Sequence, residues 1–274
     1  MRRIHACLPV LALLLPLLPV LAGCQKLQAR MELKKGNELY RDEIYKEALE
    51  QFQKGLQIDP TAKFAWRSVG LSAMALFRPG VDDPENKKHA EIAIDAFKKY
   101  LQAFPADQKV EEYLVTTLIN SGKYDEALQM LKEEAQRSNK QEMHQMVVST
   151  MIKAGKLEDA FDWTQRHAAR DPQVLYSIAV ACWAQSYNDP MLSVEQRTQI
   201  VDTGLDAAKR AIEIKPDYFE AMAYYNLLFR EKAKLETDPL KAQEYYAQAE
   251  EWVQKALAVR ERQKVQETKK AKAS

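Results

Sequence analysis

GNELYRDEIYKEALEQFQKGLQIDP, residues 36–60, reads as two helices joined by a turn. The first carries Gly36 and Tyr40. The second carries Ala48, Phe52 and Leu56 at helical spacing and stops at Asp59-Pro60. Proline ends such a helix because it has no N–H to donate and its ring collides with the preceding turn.

The same punctuation recurs at QIDP, QAFP, ARDP and EIKP, whose prolines are Pro60, Pro105, Pro172 and Pro216, at intervals of 45, 67 and 44 residues. The middle interval is almost two periods, with an unmarked boundary near Arg137. Inside it, GKYDEAL (Gly122, Tyr124, Ala127) and GKLEDAF (Gly155, Leu157, Ala160) lie 33 residues apart, so two landmarks agree on the period. This pattern resembles the tetratricopeptide repeat, a helix-turn-helix of about 34 residues. In that family small residues sit where paired helices cross closely and large ones plug the gaps. The resemblance implies an all-α chain, a right-handed superhelical array of helix-turn-helix hairpins (an α-solenoid). It covers residues 31–260 as six repeats, 31–62, 63–106, 107–140, 141–172, 173–218 and 219–260. Scarce glycine, abundant helix formers and the absence of sustained strand-like alternation agree with it.

Three repeats run about 11 residues long, at FRPGVDDPENKKH, AQSYNDPMLSVEQRTQ and REKAKLETDPLKAQEY. Eleven residues are close to three helical turns, so a lengthened helix keeps its apolar face in register. Each insert contains Asp-Pro, a good helix start, and they are expected to form longer hairpins at one edge of the array. The fourth repeat departs from the family pattern at Thr164 and His167, and the fifth at Gly204. Beyond Arg260 the sequence has no apolar anchors, so 261–274 is expected to be a fraying helix end and a basic mobile tail.

Ahead of the repeats, Arg2 and Arg3 precede an apolar run from Ala6 to Ala22 that is broken by Pro9, Pro16 and Pro19. A spanning helix needs roughly 20 apolar residues, so this run is a secretory signal instead. Its end, Leu21-Ala22-Gly23-Cys24, resembles the lipobox of bacterial lipoproteins. That resemblance implies cleavage after Gly23 of a 1–23 signal peptide and a Cys24 carrying covalent diacylglycerol and fatty acyl groups. A short tether, 24–30, would follow, and QKLQAR would reach about 20 Å if extended. Gln25 occupies the position where lipoproteins retained in the inner membrane usually carry aspartate. The implied location is the periplasmic face of the bacterial outer membrane, or the outer face of the cytoplasmic membrane in a monoderm cell. The mature chain then holds only Cys24 and Cys182, which leaves no internal disulfide.

With 40 Lys and Arg against 39 Asp and Glu, the net charge of +1 gives no bulk attraction to nucleic acid or to acidic partners. No phosphate loop, nucleophile elbow or paired-cysteine zinc motif occurs. His89, His144 and His167 fall on different helices and read as surface or groove residues rather than metal ligands. Asp82-Asp83-Pro84-Glu85 lacks the alternating oxygen ligands of a calcium loop and reads as a helix start. Cys182, in SIAVACWAQ, reads as a small residue at a tight helix crossing. No catalytic residue, metal, cofactor or small-molecule substrate is expected.

Function therefore rests on shape. The concave wall of such an array is lined mainly by the first helix of each pair and suits an extended segment or a helix of another protein. On this register it holds Leu33, Asn37 and Tyr40, then Phe64, Arg67 and Leu71, then Lys109, Glu112 and Thr116. Asn37 matches an asparagine of the tetratricopeptide chaperone cofactors' carboxylate clamp. Leu33 and Tyr113 replace basic residues of that clamp, which leaves only Asn37 and Lys109. Tyr224 leads the aromatic-rich C-terminal third, on a helix face between core and groove. The chain reads as a lipid-anchored, non-catalytic scaffold for an envelope protein or peptide segment. It is similar in size and repeat count to the pilotin class, which assists secretin assembly in type IV pili. A second likeness is to the tetratricopeptide lipoprotein of the outer-membrane β-barrel assembly machine. The alternative from another class, an enzyme or heme-handling protein, would need two convergent titratable side chains in one pocket.

Overall fold

A computed structural model describes residues 18–168 and 170–273. The signal segment up to position 17 lies outside the described residues. Among those residues there are twelve helices and no strand: α1 (Leu18–Arg41), α2 (Tyr45–Ile58), α3 (Ala65–Leu76), α4 (Pro84–Ala103), α5 (Gln108–Asn120), α6 (Tyr124–Ser138), α7 (Gln141–Lys153), α8 (Leu157–His167), α9 (Pro172–Asn188), α10 (Val194–Ile214), α11 (Phe219–Leu235) and α12 (Pro239–Ala273). They form two compact units, divided between Lys123 and Tyr124. No described helix is long and apolar enough to cross a membrane.

In the first unit each helix packs on the next, from α1 through α5. The fully buried side chains Phe52, Val69, Phe97, Val110 and Leu118 form its core. Phe52 and Phe97 are the large residues that the repeat pattern places on each second helix, and each faces a glycine on the first. A Cβ added at Gly70 would lie 2.4 Å from the Phe97 ring, well inside van der Waals contact. The missing side chain is what lets α3 and α4 close up on that ring.

The second unit stacks α6 through α12 in the same sequential way, around Met151, Leu175, Ile178, Val201 and Leu228. Gly204, a departure from the repeat pattern in sequence, is accommodated by its neighbours. A Cβ there would meet the Cys182 Cβ at 2.7 Å and the Leu228 methyl at 2.8 Å, so glycine is what this crossing requires. Thr164, the other departure in a core position, is buried and returns its hydroxyl to the Ala160 carbonyl at 2.8 Å.

The long inserts become longer helices. α4 and α10 span 20 and 21 residues, against 14 for α2 and 11 for α8. Asp83 caps α4 through the Asn86 N–H, with Pro84 in the first turn. Buried Asn86 then pins the preceding loop: its amide donates to the Arg78 and Val81 carbonyls and its carbonyl accepts from the Arg78 N–H. Asp238-Pro239 likewise opens α12, with Asp238 accepting from the Leu240 N–H. Asp189-Pro190 does not start a helix. Asp189 closes α9, and α10 begins at Val194 behind a Ser193–Gln196 capping box, which satisfies two free N–H groups where proline offers none.

The expected tether is corrected, and the expected helix end beyond Arg260 runs further. The tether 24–30 is helical, part of α1, because Ala29 and Leu33 are buried against α2, and both approach Gly55. The tail after Arg260 is also helical, continuing α12 through Ala273. Its Arg, Glu, Gln, Lys and Ala are strong helix formers, and no Gly or Pro interrupts them. Gln263 ties the segment back by donating to the Asp217 carbonyl at 2.9 Å.

Gly70→Ala should lower stability by about 1–3 kcal/mol, because an aromatic ring in a full core has nowhere to retreat. Thermal or urea melts of the variant against wild type read this directly, and an unchanged midpoint would contradict the crossing described.

Candidate functional site

In the first unit the groove face of α1 is set by its buried face. With Ala29, Leu33 and Gly36 turned to α2, helical geometry puts Arg30, Lys34, Asn37 and Arg41 on one continuous stripe. This stripe, with Leu33, Glu38 and Phe64, lines a recess of 280 Å³. Asn37 is exposed, as expected. Phe64 stands 58% exposed at the start of α3. Leu33 is corrected from a wall contact to a buried floor residue. The cations Arg30, Lys34 and Arg41 were not singled out in the sequence, although their spacing with Asn37 shows in it.

The other expected groove residues of this unit divide. Tyr40 is half-buried and edge-on to Tyr45, with centroids 5.2 Å apart; burial raises its hydroxyl above the ordinary range, Tyr45 adding to this. Arg67 is exposed, and its positive charge acts on Tyr40, Tyr100 and Asp107. Asp107 is held below the usual carboxylate range first by a hydrogen bond from the Tyr100 hydroxyl at 2.9 Å. Lys109 and Glu112 pair at 2.7 Å and largely cancel, with the ammonium 5.3 Å from the Tyr113 ring centre. Leu71 is half-buried and Thr116 exposed. Asp82 and Asp83 are both occupied, one by Lys87 at 2.5 Å and the other as the α4 cap.

In the second unit, aromatic side chains of α9 and α11, two first helices of neighbouring hairpins, join in a chain. Tyr176 lies 5.2 Å from Tyr218 and 5.6 Å from Tyr224. Tyr224 is edge-on to Trp183 at 5.5 Å, and Trp183 stacks on Tyr187 at 5.3 Å. Tyr218 is buried, donates to the Gln173 side chain at 2.5 Å, and has its hydroxyl pushed up to about 12 by burial, Glu220 adding to this. Along the chain exposure rises to 59% at Tyr187, where Lys234 sits 5.5 Å from the ring centre. Tyr224 thus stands between core and solvent, as read from its helix face.

A wider recess, 570 Å³, lies between α8 and α10 of the same unit, with Phe161 and Val194 beside Glu195, Asp202 and Asp206. Hydrogen bonds from its own backbone and from Ser193 hold Glu195 below its usual range, and Asp202 accepts from Lys232 at 2.6 Å. Among the described residues no group of three or more His, Cys, Asp or Glu side chains is placed to hold a metal ion.

The histidines need a correction. His144 is buried rather than on the surface, and it stacks on His167 at 5.0 Å with Trp163 against both. The His144 Nδ1 and Trp163 Nε1 atoms are buried and have no hydrogen-bond partner among the described residues. His167, exposed at the end of α8, is held below the ordinary imidazole range by partial desolvation first, then by His144 and Arg166. A depressed imidazole makes the folded state bind a proton less readily than the unfolded one. The His167 contribution is therefore fully present above about pH 6.5 and is lost as pH falls from there toward its lowered folded value. Melts between pH 7.5 and 5.5 should show falling stability, and His167→Gln should flatten that slope.

Cys182 is fully buried, and desolvation pushes its thiol up to about 12, with Glu158 adding to the shift. A thiol so placed is inert. Native protein should leave Cys182 unmodified by maleimide, whereas chain unfolded in denaturant should react fully, as intact-mass measurement would show.

Residues 84–199 match the family model described as tetratricopeptide repeat, a span that omits the first repeat. No curated protein matches the sequence. Among solved structures, YrrB, described as a TPR protein with an unusual peptide-binding site, is 20% identical, covers 70% of this chain and 88% of its own, and has a TM-score of 0.39. The C-terminal part of a TPR repeat-containing protein from Cytophaga hutchinsonii is 15% identical, with 80% and 78% covered and a TM-score of 0.41. MamA from Desulfovibrio magneticus RS-1 is 13% identical, with 86% and 96% covered and a TM-score of 0.32.

Proposed function

We propose that this tetratricopeptide-repeat chain is a non-catalytic scaffold, held to the bacterial envelope through lipid on Cys24, that grips a segment of another protein along the first helices of its hairpins. The observation that carries the binding role is the chain of rings from Tyr218 through Tyr224 to Tyr187. Its inner members fill the contact between α9 and α11, while its outer members remain partly open to solvent. Tyrosine and tryptophan in such half-open settings combine apolar area, a polar tip and little rotamer freedom, which is what a binding anchor needs.

The basic recess of the first unit supports the same use with different chemistry. Its guanidinium groups offer fork-shaped donors for carboxylates. The lipid attachment rests on the Leu21-Ala22-Gly23-Cys24 stretch, with Cys24 exposed in α1. A periplasm-facing outer-membrane location follows from Gln25 by the same resemblance.

Photo-cross-linking in cells, followed by purification under denaturing conditions, tests the reading. Wild type should yield a discrete protein adduct and incorporate labelled palmitate. Trp183→Ala with Tyr224→Ala should weaken capture by on the order of 2 kcal/mol or more, roughly thirtyfold in affinity. Glu50→Ala, on the exposed face of α2, should not. Equal loss from both variants would remove the groove as the binding surface, and failure to take up label would remove the anchor.

A further inference from the structure

The outward face of α1 is apolar where the end helix of a repeat array is ordinarily polar. Leu27 is 62% exposed and Met31 65% exposed, while Ala29 and Leu33, half a turn away, are buried against α2. Counting around the helix, Cys24, Leu27 and Met31 fall on one stripe, at i, i+3 and i+7. No helix of the repeats covers that stripe, since α1 packs its opposite side on α2.

The surrounding charge is biased. Lys35 flanks the stripe one turn on and is exposed. Glu32 pairs with Lys54 at 2.6 Å, and Glu38 is engaged at 3.8 Å by Lys34 on the groove side. The apolar run in the sequence leads directly into this helix. Lipid on Cys24 would bring the same face of α1 to a bilayer.

We infer that the Cys24–Leu27–Met31 face of α1 is a membrane-contact surface, which lies on anionic headgroups with Leu27 and Met31 immersed and Lys35 at the phosphate level. This rests on the anchoring reading above and adds to it. The lipid does not trail the protein on a leash; it continues a helix face that itself enters the interface. Short apolar faces with basic flanks bind such surfaces.

The test uses full-length protein purified with its lipid and reconstituted into phosphatidylglycerol–phosphatidylcholine vesicles. Leu27→Cys, Met31→Cys and, as a control on α2, Glu47→Cys are each labelled with a polarity-sensitive fluorophore; buried Cys182 does not compete for it. Labels at 27 and 31 should show blue-shifted emission and several-fold weaker iodide quenching than the label at 47. The shift should shrink in pure phosphatidylcholine and in Lys35→Glu. Equal quenching at all three positions, with the protein still vesicle-bound, overturns this inference and leaves the anchor standing. Protein that washes free of the vesicles overturns both. Protection that disappears when protein is diluted at constant lipid shows that a second copy covers the face, and this inference is then wrong.

Discussion

Two helices can lie close only where one of them has no side chain in the way, and most of this molecule follows from that steric requirement. At Gly36, Gly55, Gly70 and Gly204 an added Cβ would sit within 2.8 Å of Phe52, Leu33, Phe97 and Cys182 respectively. Each contact fixes the rotation of a helix about its own axis. Once α1 turns Ala29, Leu33 and Gly36 toward α2, Arg30, Lys34, Asn37 and Arg41 must face the groove and Leu27 and Met31 must face outward. The chemistry of the surface is thus set by the packing of the interior, one helical phase at a time.

The two units put different chemistry on equivalent helices. The first presents cations around an exposed Phe64; the second presents joined aromatic rings with a lysine at the open end. Each surface selects for its own chemistry: the guanidinium groups of the first favour carboxylates, and the rings of the second favour groups that pack on aromatic faces.

Much of the fold was legible because its signals are local. Ala48 and Phe52, four residues apart on one helix, identify the crossing without knowledge of any other helix. Asp83-Pro84 and Asp238-Pro239 mark helix starts for the same reason. What stayed hidden depended on contacts between distant positions. His144 and His167 are 23 residues apart and meet only because α7 and α8 fold back on each other. Gly204 looked like a defect until Cys182 was placed opposite it. Asp189-Pro190 misled because Ser193 offers a better cap four residues later. The helical course of 24–30 was hidden because it depends on Ala29 meeting α2. The helix end beyond Arg260 showed in its composition, but not how far it runs. Asn37 and Phe64, expected on the wall from register, line the recess of the first unit. The arginines beside them were passed over although they share the stripe.

The length of α12 has a mechanical consequence. Val259 is buried along it and Gln263 donates to the Asp217 carbonyl, and the helix continues to Ala273. Ten further residues carry its axis about 15 Å outward. A continuous helix transmits both direction and torsion, so anything joined to this end would stand at a set distance and a set azimuth from the last repeat. Adding or removing one residue would swing such an attachment by about 100°, while changing its distance by only about 1.5 Å. The end of the chain works as a shaft whose phase counts for more than its length.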